Sequence, residues 1–191
     1  MPILSNLLTS PRADATAAAA SRLDEFAERY KRFLPRVFAY VYGRVQSVPL
    51  AEDLVAEVFE RAFVKADSLR HEEAFSTWLF TIARNVVTSY GRRRGREPVV
   101  DPDILYAISP SSVSVEQDVV LREDVASLLE CLRKLPQREQ DIIALKFDAG
   151  LSSGQIARIV GLSEANVRVI LFRTLRRLRV MMDAPSKAPE P

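Results

Sequence analysis

Residues 152–179 read SSGQIARIVGLSEANVRVILFRTLRRLR and have the spacing of a helix-turn-helix. This motif needs a small residue where the two helices cross and a turn residue that tolerates unusual dihedral angles. Ala157 meets the first need and Gly161 meets the second. Apolar residues must also hold the second helix over the first, and the candidates are Ile156, Val160, Leu162 and Val167.

Both helices of this motif have side chains suited to capping their N-termini. Ser152 with Gln155 predicts a capping box, and Ser163 predicts the cap of the second helix. The second helix presents Glu164, Asn166, Arg168 and Arg173 toward solvent, with Arg176, Arg177 and Arg179 further along. Arginines read base edges and neutralise phosphates, so the motif favours a DNA-reading helix over a helical hairpin with a solvated basic face.

The N-terminal half predicts three further amphipathic helices. Apolar residues recur at three- and four-residue steps from Leu23 to about Val45, where Pro35 is a candidate kink, and again from Leu50. The second helix carries acids beside its apolar stripe, namely Glu52, Asp53, Glu57 and Glu60. An acidic face beside an apolar stripe suits a partner helix pair, although the same acids would also keep a core helix soluble.

The third helix is predicted from about Phe75 to Tyr90, after a loop with the sequence DSLRHEE. Its buried stripe would comprise Trp78, Leu79, Ile82, Val86 and Tyr90. The opposite side then holds Thr77, Thr81, Arg84, Asn85 and Thr88. Gly91 is expected to interrupt the helix before the basic run RRRGR. Donors and charge along one line suit a nucleic-acid backbone.

Composition changes mark the domain boundaries. We expect a weakly ordered leader at 1–20, a Pro- and Ser-rich linker at 97–115 and a disordered tail at 183–191. After the linker, Ser114 with Gln117 predicts a capping box, and Pro136 starts a helix that Gly150 ends. The sequence thus predicts an all-α fold with two small helical domains, at 21–96 and 116–182.

Other classes of protein lack support in the sequence. The chain has 27 Lys and Arg residues and 25 Asp and Glu residues, which give a net charge of +2. Because this net charge is small, the positions of the charges along the chain say more about binding partners than their sum. The single Cys131 and single His71 exclude an internal disulfide and a Cys/His zinc site. The sequence shows no signal peptide and no membrane span, so we expect a cytoplasmic protein. It shows no set of catalytic residues and no Gly-rich phosphate loop, so we expect a protein that is not an enzyme and needs no metal or cofactor.

Three segments together resemble an extracytoplasmic-function sigma factor of the sigma-70 family. They are LAEDLVAEVFERAF, FSTWLFTIARNVVTSYGRRR and LRKLPQREQDIIALKFDAGLSSGQIARIVGLSEANVRVILFRTLRRLR, and they stand in the family's order within residues 23–180. The resemblance implies that the N-terminal domain is sigma region 2 and that the C-terminal domain is region 4. It further implies that region 2 melts the −10 promoter element and that region 4 reads the −35 element.

The resemblance also implies which residues contact promoter DNA and which dock on core polymerase. The implied −10 surface comprises Leu69, Arg70, His71, Glu72, Glu73, Ala74, Arg84, Asn85, Thr88, Arg92, Arg93 and Arg94. The implied −35 surface comprises Asn166, Arg168, Phe172, Arg173 and Arg176. The implied docking residues for core polymerase are Asp53, Leu54, Glu57, Val58 and Phe59.

The implied partners are promoter DNA, the clamp helices of the largest polymerase subunit, the flap of the second-largest subunit and an anti-sigma factor. The chain departs from the family at five positions, where the family has other residues than Ala56, Ser89, Gly91, Val169 and Ile170. Ile170 is expected to extend the apolar contact with the preceding helix, which leaves base reading to Asn166, Arg168 and Phe172.

Two alternatives compete with this interpretation. A stand-alone helix-turn-helix regulator with a dimerisation or sensor domain explains residues 115–182, but it gives no reason for a basic helix after an acidic docking helix. A helical nuclease would need paired carboxylates with a basic partner, and the sequence shows none. Dependence on core polymerase separates a sigma factor from a regulator that binds its site alone.

Overall fold

The structure, a computed structural model, describes residues 11–65, 72–94 and 115–183. All regular secondary structure in these ranges is α-helical. The helices are α1 (Pro11–Val45), α2 (Val48–Lys65), α3 (Glu72–Arg94), α4 (Val115–Arg133), α5 (Gln137–Phe147), α6 (Ser153–Val160) and α7 (Glu164–Asp183). The expected all-α fold is confirmed.

Helices α1, α2 and α3 pack against one another and form the N-terminal module. Helix α1 begins at Pro11, so it includes residues 11–20 of the expected leader. Alanine has the highest helix propensity, and proline is tolerated in the first helical turn. Pro35 does not divide α1, because Phe33 and Val37 on either side of it are fully buried and fix the neighbouring turns.

Helix α3 is longer at both ends than the sequence predicted. It begins at Glu72 instead of about Phe75, since acids in the first turn interact favourably with the helix dipole. It continues through Gly91 to Arg94, because one glycine costs a helix only about 1 kcal/mol. The run of donors on α3 therefore stays on one rigid element up to its last residue.

Helices α4 to α7 form the C-terminal module, in which α7 contacts α4, α5 and α6. Cys131 is buried with Leu135 and Leu178 in a small cluster between α4 and α7. Helix α5 begins directly after Pro136 and ends at Phe147, a little before the expected Gly150. The expected cap at Ser114 lies outside the described residues.

The two modules are packed together. Helix α5 contacts α1, and α6 contacts α3. Phe33, Leu79 and Phe80 of the N-terminal module belong to the same continuous buried cluster as Leu145 and Ile156 of the C-terminal module. The linker sequence gave no fixed geometry for the two modules, whereas the structure gives them one shared core.

Candidate nucleic-acid interfaces

The helix-turn-helix has the predicted local geometry. The Ser152 hydroxyl accepts a hydrogen bond from the Gln155 amide at 3.2 Å, and the Gln155 side chain accepts one from the Ser152 amide at 2.9 Å. Gly161 has φ 69°, in the left-handed region, and the next residue's amide donates to the Ala157 carbonyl at 3.0 Å. The capping box and the glycine turn are therefore confirmed.

Helix α7 is the second helix of the motif. The Ser163 hydroxyl accepts from the Asn166 amide at 3.3 Å, which confirms the predicted cap. The side chains that hold α7 in the module are Val167, Leu171, Thr174 and Leu178, all of them buried. The five predicted −35 residues are all exposed on α7: Asn166, Arg168, Phe172, Arg173 and Arg176. The Arg168 guanidinium pairs with the Glu164 carboxylate one turn earlier.

Gly154 is a small residue at the start of α6 that the sequence analysis did not single out. A Cβ at this position would lie 3.3 Å from a carboxylate oxygen of Glu164. Ile170 is partly buried against the core, which confirms that it extends the apolar contact and leaves Val169 exposed. The start of α7 is thus held close to α6 while its outer face stays open.

The predicted −10 residues divide into three groups. Asn85, Thr88, Arg92 and Arg93 are exposed on α3, and Ala74 is half-buried. Leu69, Arg70 and His71 lie outside the described residues, as do the side chains of Glu72, Glu73 and Arg94. The remaining residue, Arg84, has a different environment from the one expected.

Arg84 was expected on the solvent side of α3, and this expectation is wrong. Its Nε lies 3.3 Å from Oδ2 of Asp141 on α5, and its side chain is 30% exposed. The packing of α5 and α6 against the N-terminal module brings this carboxylate to α3. Sequence periodicity within α3 could not reveal a contact with a residue 57 positions away.

Asp141 also bonds Arg44, and neither residue was predicted. The other Asp141 oxygen lies 3.0 Å from Nη2 of Arg44, and both side chains are almost fully buried, at 6% and 7% exposed. Arg44 Nη1 donates to the side chain of Gln140 at 2.9 Å. A buried carboxylate held between two guanidiniums joins the modules, and we refer to Arg44, Arg84 and Asp141 as the ion cluster.

Two hydrogen bonds between the modules flank the ion cluster. Arg36 Nε donates to the Ala149 carbonyl at 2.9 Å. The side-chain amide of Gln155 (Nε2) donates to the Ser76 hydroxyl at 2.8 Å. Gln155 therefore both caps α6 and ties it to α3. These bonds involve directional groups at separate points, so the modules have one defined relative orientation.

Two ionisable side chains between the modules have altered pKa values. Burial raises the pKa of Asp148 to about 6, and the nearby Arg44 guanidinium only partly opposes this shift. A Cβ on Gly43 would lie 2.9 Å from the Asp148 carboxylate, so this carboxylate sits directly against α1. Burial, followed by the charge of Asp141, raises the pKa of Tyr40, whose hydroxyl finds no hydrogen-bond partner among the described residues.

The predicted docking residues on α2 also divide. Leu54, Val58 and Phe59 are buried in the shared core, and their implied contact with core polymerase stays a prediction. Asp53 is exposed, and Glu57 is half-buried and pairs with Arg61. An exposed apolar patch that was not predicted lies where α1 meets α2: Phe63 packs against Phe26 and Tyr30 against Phe59, and both Phe63 and Tyr30 stay exposed.

Two other site types were checked. Within the described ranges, no group of three or more His, Cys, Asp or Glu side chains is placed to hold a metal ion. None of the described helices is both long enough and apolar enough to cross a membrane.

Comparison with known proteins agrees with this architecture. Residues 29–97 match the family model for sigma-70 region 2, and residues 126–178 match that for sigma-70 region 4. The chain is 32% identical to the ECF RNA polymerase sigma factor BldN of Streptomyces coelicolor, over 84% of this chain and 61% of BldN. It is 30% identical to the ECF RNA polymerase sigma factor RpoE of Cereibacter sphaeroides, over 82% of this chain and 86% of RpoE.

A solved structure also matches the fold. The sigma factor RpoE of Bartonella quintana, in complex with the anti-sigma factor NepR, superposes with a TM-score of 0.64 and 25% identity, over 84% of this chain and 98% of that one. The order of the two matched regions is the order of the two modules. The chain thus belongs to the extracytoplasmic-function group of RNA polymerase sigma factors.

Proposed function

We propose that this chain binds core RNA polymerase, selects promoters through their −35 and −10 elements and opens the −10 element. The observation that carries the proposal is a capped helix-turn-helix with an open basic face in the same chain as a second helix with exposed donors. The proposed functional domains are 21–96 for region 2 and 116–182 for region 4, joined by 97–115.

Helix α7 is the proposed reader of the −35 element. Asn166 and Arg168 lie in its first turn and a half, the part of a recognition helix that meets base edges in the major groove. Arg173 and Arg176 lie further along the exposed side, where they neutralise phosphates. Arg168 is already held in place by its pair with Glu164, which lowers the conformational entropy lost on binding.

Helix α3 is the proposed −10 surface. Asn85 and Thr88 offer hydrogen-bonding groups one turn apart, and Arg92 and Arg93 continue the line with positive charge. The free energy for strand opening comes from bases captured on this surface and from phosphate contacts. This role needs no bond to be made or broken by the chain, so we propose that it is not an enzyme.

The proposed docking face for core polymerase is the exposed acidic side of α2. Of the five docking residues that the resemblance implies, Asp53 and Glu57 are not buried. Glu52 and Glu60 are exposed on the same helix. Charge of one sign beside the exposed Phe63 suits the clamp helices of the largest subunit. The C-terminal module would meet the flap of the second-largest subunit.

Promoter binding by both modules requires that they separate. The −35 and −10 elements are centred about 25 base pairs apart, which is roughly 85 Å at 3.4 Å per base pair. In the structure α7 packs on α6 and α6 packs on α3, so two helix-packing distances, about 20 Å in all, separate the two DNA-facing helices. Separation also releases Arg84 from Asp141, and Arg84 then joins the −10 surface.

We propose two further properties from family membership. The matched structure of Bartonella RpoE is a complex with an anti-sigma factor, and we propose an anti-sigma partner for this chain as well. The exposed apolar patch with Tyr30 and Phe63 beside the acids of α2 is a surface that such a partner could share with polymerase. We also propose that the chain acts in the cytoplasm, where core polymerase works.

A titration with purified core polymerase tests the proposal. The protein, alone and with core enzyme, is added to a library of promoter fragments, and binding is followed by gel shift and strand opening by permanganate footprinting. We expect weak binding alone and opening of selected sequences with core enzyme. Tight binding to a duplex without polymerase, and no opening, would instead identify a stand-alone regulator.

A further inference from the structure

The exposed face of α7 has an apolar centre. The four buried side chains that fix α7 recur at Val167, Leu171, Thr174 and Leu178. The residue two positions before each of them lies about 200° around the helix and therefore points directly away from the module. These four outward positions are Ala165, Val169, Phe172 and Arg176, all exposed.

The polar side chains lie to either side of this line. Arg168 is on one flank, where its guanidinium is engaged by Glu164, and Asn166 and Arg173 are on the other flank. Val169 is 45% exposed and Phe172 is 70% exposed. Nothing in the described part of the chain covers either side chain as part of a buried cluster.

The centre of a recognition helix's outer face meets the floor of the major groove. The one apolar group that a base pair presents there is the C5 methyl group of thymine, which phenylalanine and small aliphatic groups contact. We infer that Val169 and Phe172 read thymine methyl groups in the −35 element, between the flanking contacts of Asn166 and Arg168. The inference rests on the proposed function, because it assumes that α7 enters the −35 major groove.

The test removes single methyl groups from the DNA. The full chain with core polymerase is bound to its best selected −35 sequence, and each thymine is replaced in turn by deoxyuridine, which keeps the polar edge and loses only the methyl group. We expect about a fourfold loss of affinity at one or two positions, the factor for removing one buried methyl from a contact.

Two variants assign the effect to the protein side chains. Val169→Ser removes both γ-methyl groups and places a hydroxyl on the outer face, and Phe172→Ala removes the ring. Each should bring the thymine-to-deoxyuridine affinity ratio toward one at its own position. Val180→Ser is the matched control, because Val180 is exposed on the same helix two turns beyond Phe172 and should leave the ratio unchanged.

The possible outcomes distinguish a failure of the proposed methyl contact from a failure of the proposed sigma function. A selected −35 element without thymine, or one in which no deoxyuridine substitution lowers affinity, overturns the methyl contact while the sigma function stands. A thymine-to-deoxyuridine ratio that persists in both Val169→Ser and Phe172→Ala also overturns it. Failure of the holoenzyme to prefer any −35 sequence would instead contradict the proposed role of α7.

Discussion

The two DNA-facing helices of this chain differ in how ready they are to bind. The outer face of α7 is open and its polar groups are fixed within the C-terminal module, as the Arg168–Glu164 pair shows. On α3, by contrast, Arg84 is engaged by Asp141 of the other module. In the packed arrangement the proposed −35 reader is therefore open, whereas the proposed −10 surface gains Arg84 only when the modules separate.

The largest expected effect comes from Asp141→Ala. It leaves Arg44 buried without its carboxylate, and removing one partner of a buried ion pair costs about 3–5 kcal/mol. We expect the modules to separate while each keeps its helices. Small-angle X-ray scattering should then show a radius of gyration well above the roughly 16 Å of a compact chain of this length.

Glu130→Ala is the control for that experiment. Glu130 near the end of α4 pairs with the following Lys134, and because both side chains are exposed, solvent screening leaves this ion pair little effect on stability. The radius of gyration should stay at the compact value. If Asp141→Ala also stays compact, the ion cluster does not hold the modules together, and the contrast between α3 and α7 loses its basis.

Two neighbouring residues on α7 test whether its DNA-facing side is independent of the module's stability. Leu171→Ala removes a buried side chain and should lower the free energy of unfolding by about 2–5 kcal/mol. Phe172→Ala should change it by less than about 0.5 kcal/mol, because the ring is mostly in solvent. Denaturant unfolding measures both, and similar losses for the two variants would show that Phe172 supports the fold.

The closed arrangement should depend on pH through Asp148. Its pKa is about 6 when the modules are packed and should return toward the ordinary 3.8 when they separate, so the closed form binds the proton more tightly. Burial of the charged carboxylate then opposes closing above pH 6, and this penalty disappears as the pH falls from 6 to about 4. The closed population should be larger at pH 5 than at pH 7.5.

Scattering or hydrogen exchange of α3 at the two pH values measures that population. The charged or titratable groups that interact with Asp148 are Arg44 and Tyr40. Asp148→Asn is uncharged at both pH values and should remove the dependence between pH 5 and 7.5. A dependence that survives in Asp148→Asn would assign it to another group.

The smallest effects come from one glycine in each module. Gly161→Ala should cost about 1 kcal/mol, because Gly161 has φ 69° and an alanine there is strained even though the space around it is open. Gly91→Ala should stabilise the N-terminal module by about 0.5–1 kcal/mol, since Gly91 is helical and exposed. Thermal unfolding measures both variants. Stability changes of the same sign in the two would contradict the left-handed backbone of Gly161 or the helical backbone of Gly91.

Much of the fold could be predicted because it depends on local patterns. The apolar stripe of α2 and the capped turn between α6 and α7 each depend on residues within a few positions of one another. Periodicity also predicted Leu79 and Val86 as buried on α3. These positions are set by helix geometry, which is a property of the sequence within each segment.

The contacts between modules could not be predicted in the same way. Ser76 is buried although it lies off the predicted stripe, since its hydroxyl accepts a hydrogen bond from the Gln155 side chain of α6. A run of donors on α3 looked solvent-facing because the acid that pairs with Arg84 is distant in sequence. A single sequence has no signal for such pairings.

If Arg84 belongs to the −10 surface as proposed, then its pairing with Asp141 makes this carboxylate compete with a DNA phosphate for one guanidinium. The apparent affinity for the −10 strand is then the affinity of the open form multiplied by the fraction of molecules that are open. If one molecule in about 100 were open, binding would weaken by the same factor of about 100. A ligand that holds the modules apart therefore strengthens promoter binding. By linkage, promoter DNA strengthens the binding of that ligand by the same factor.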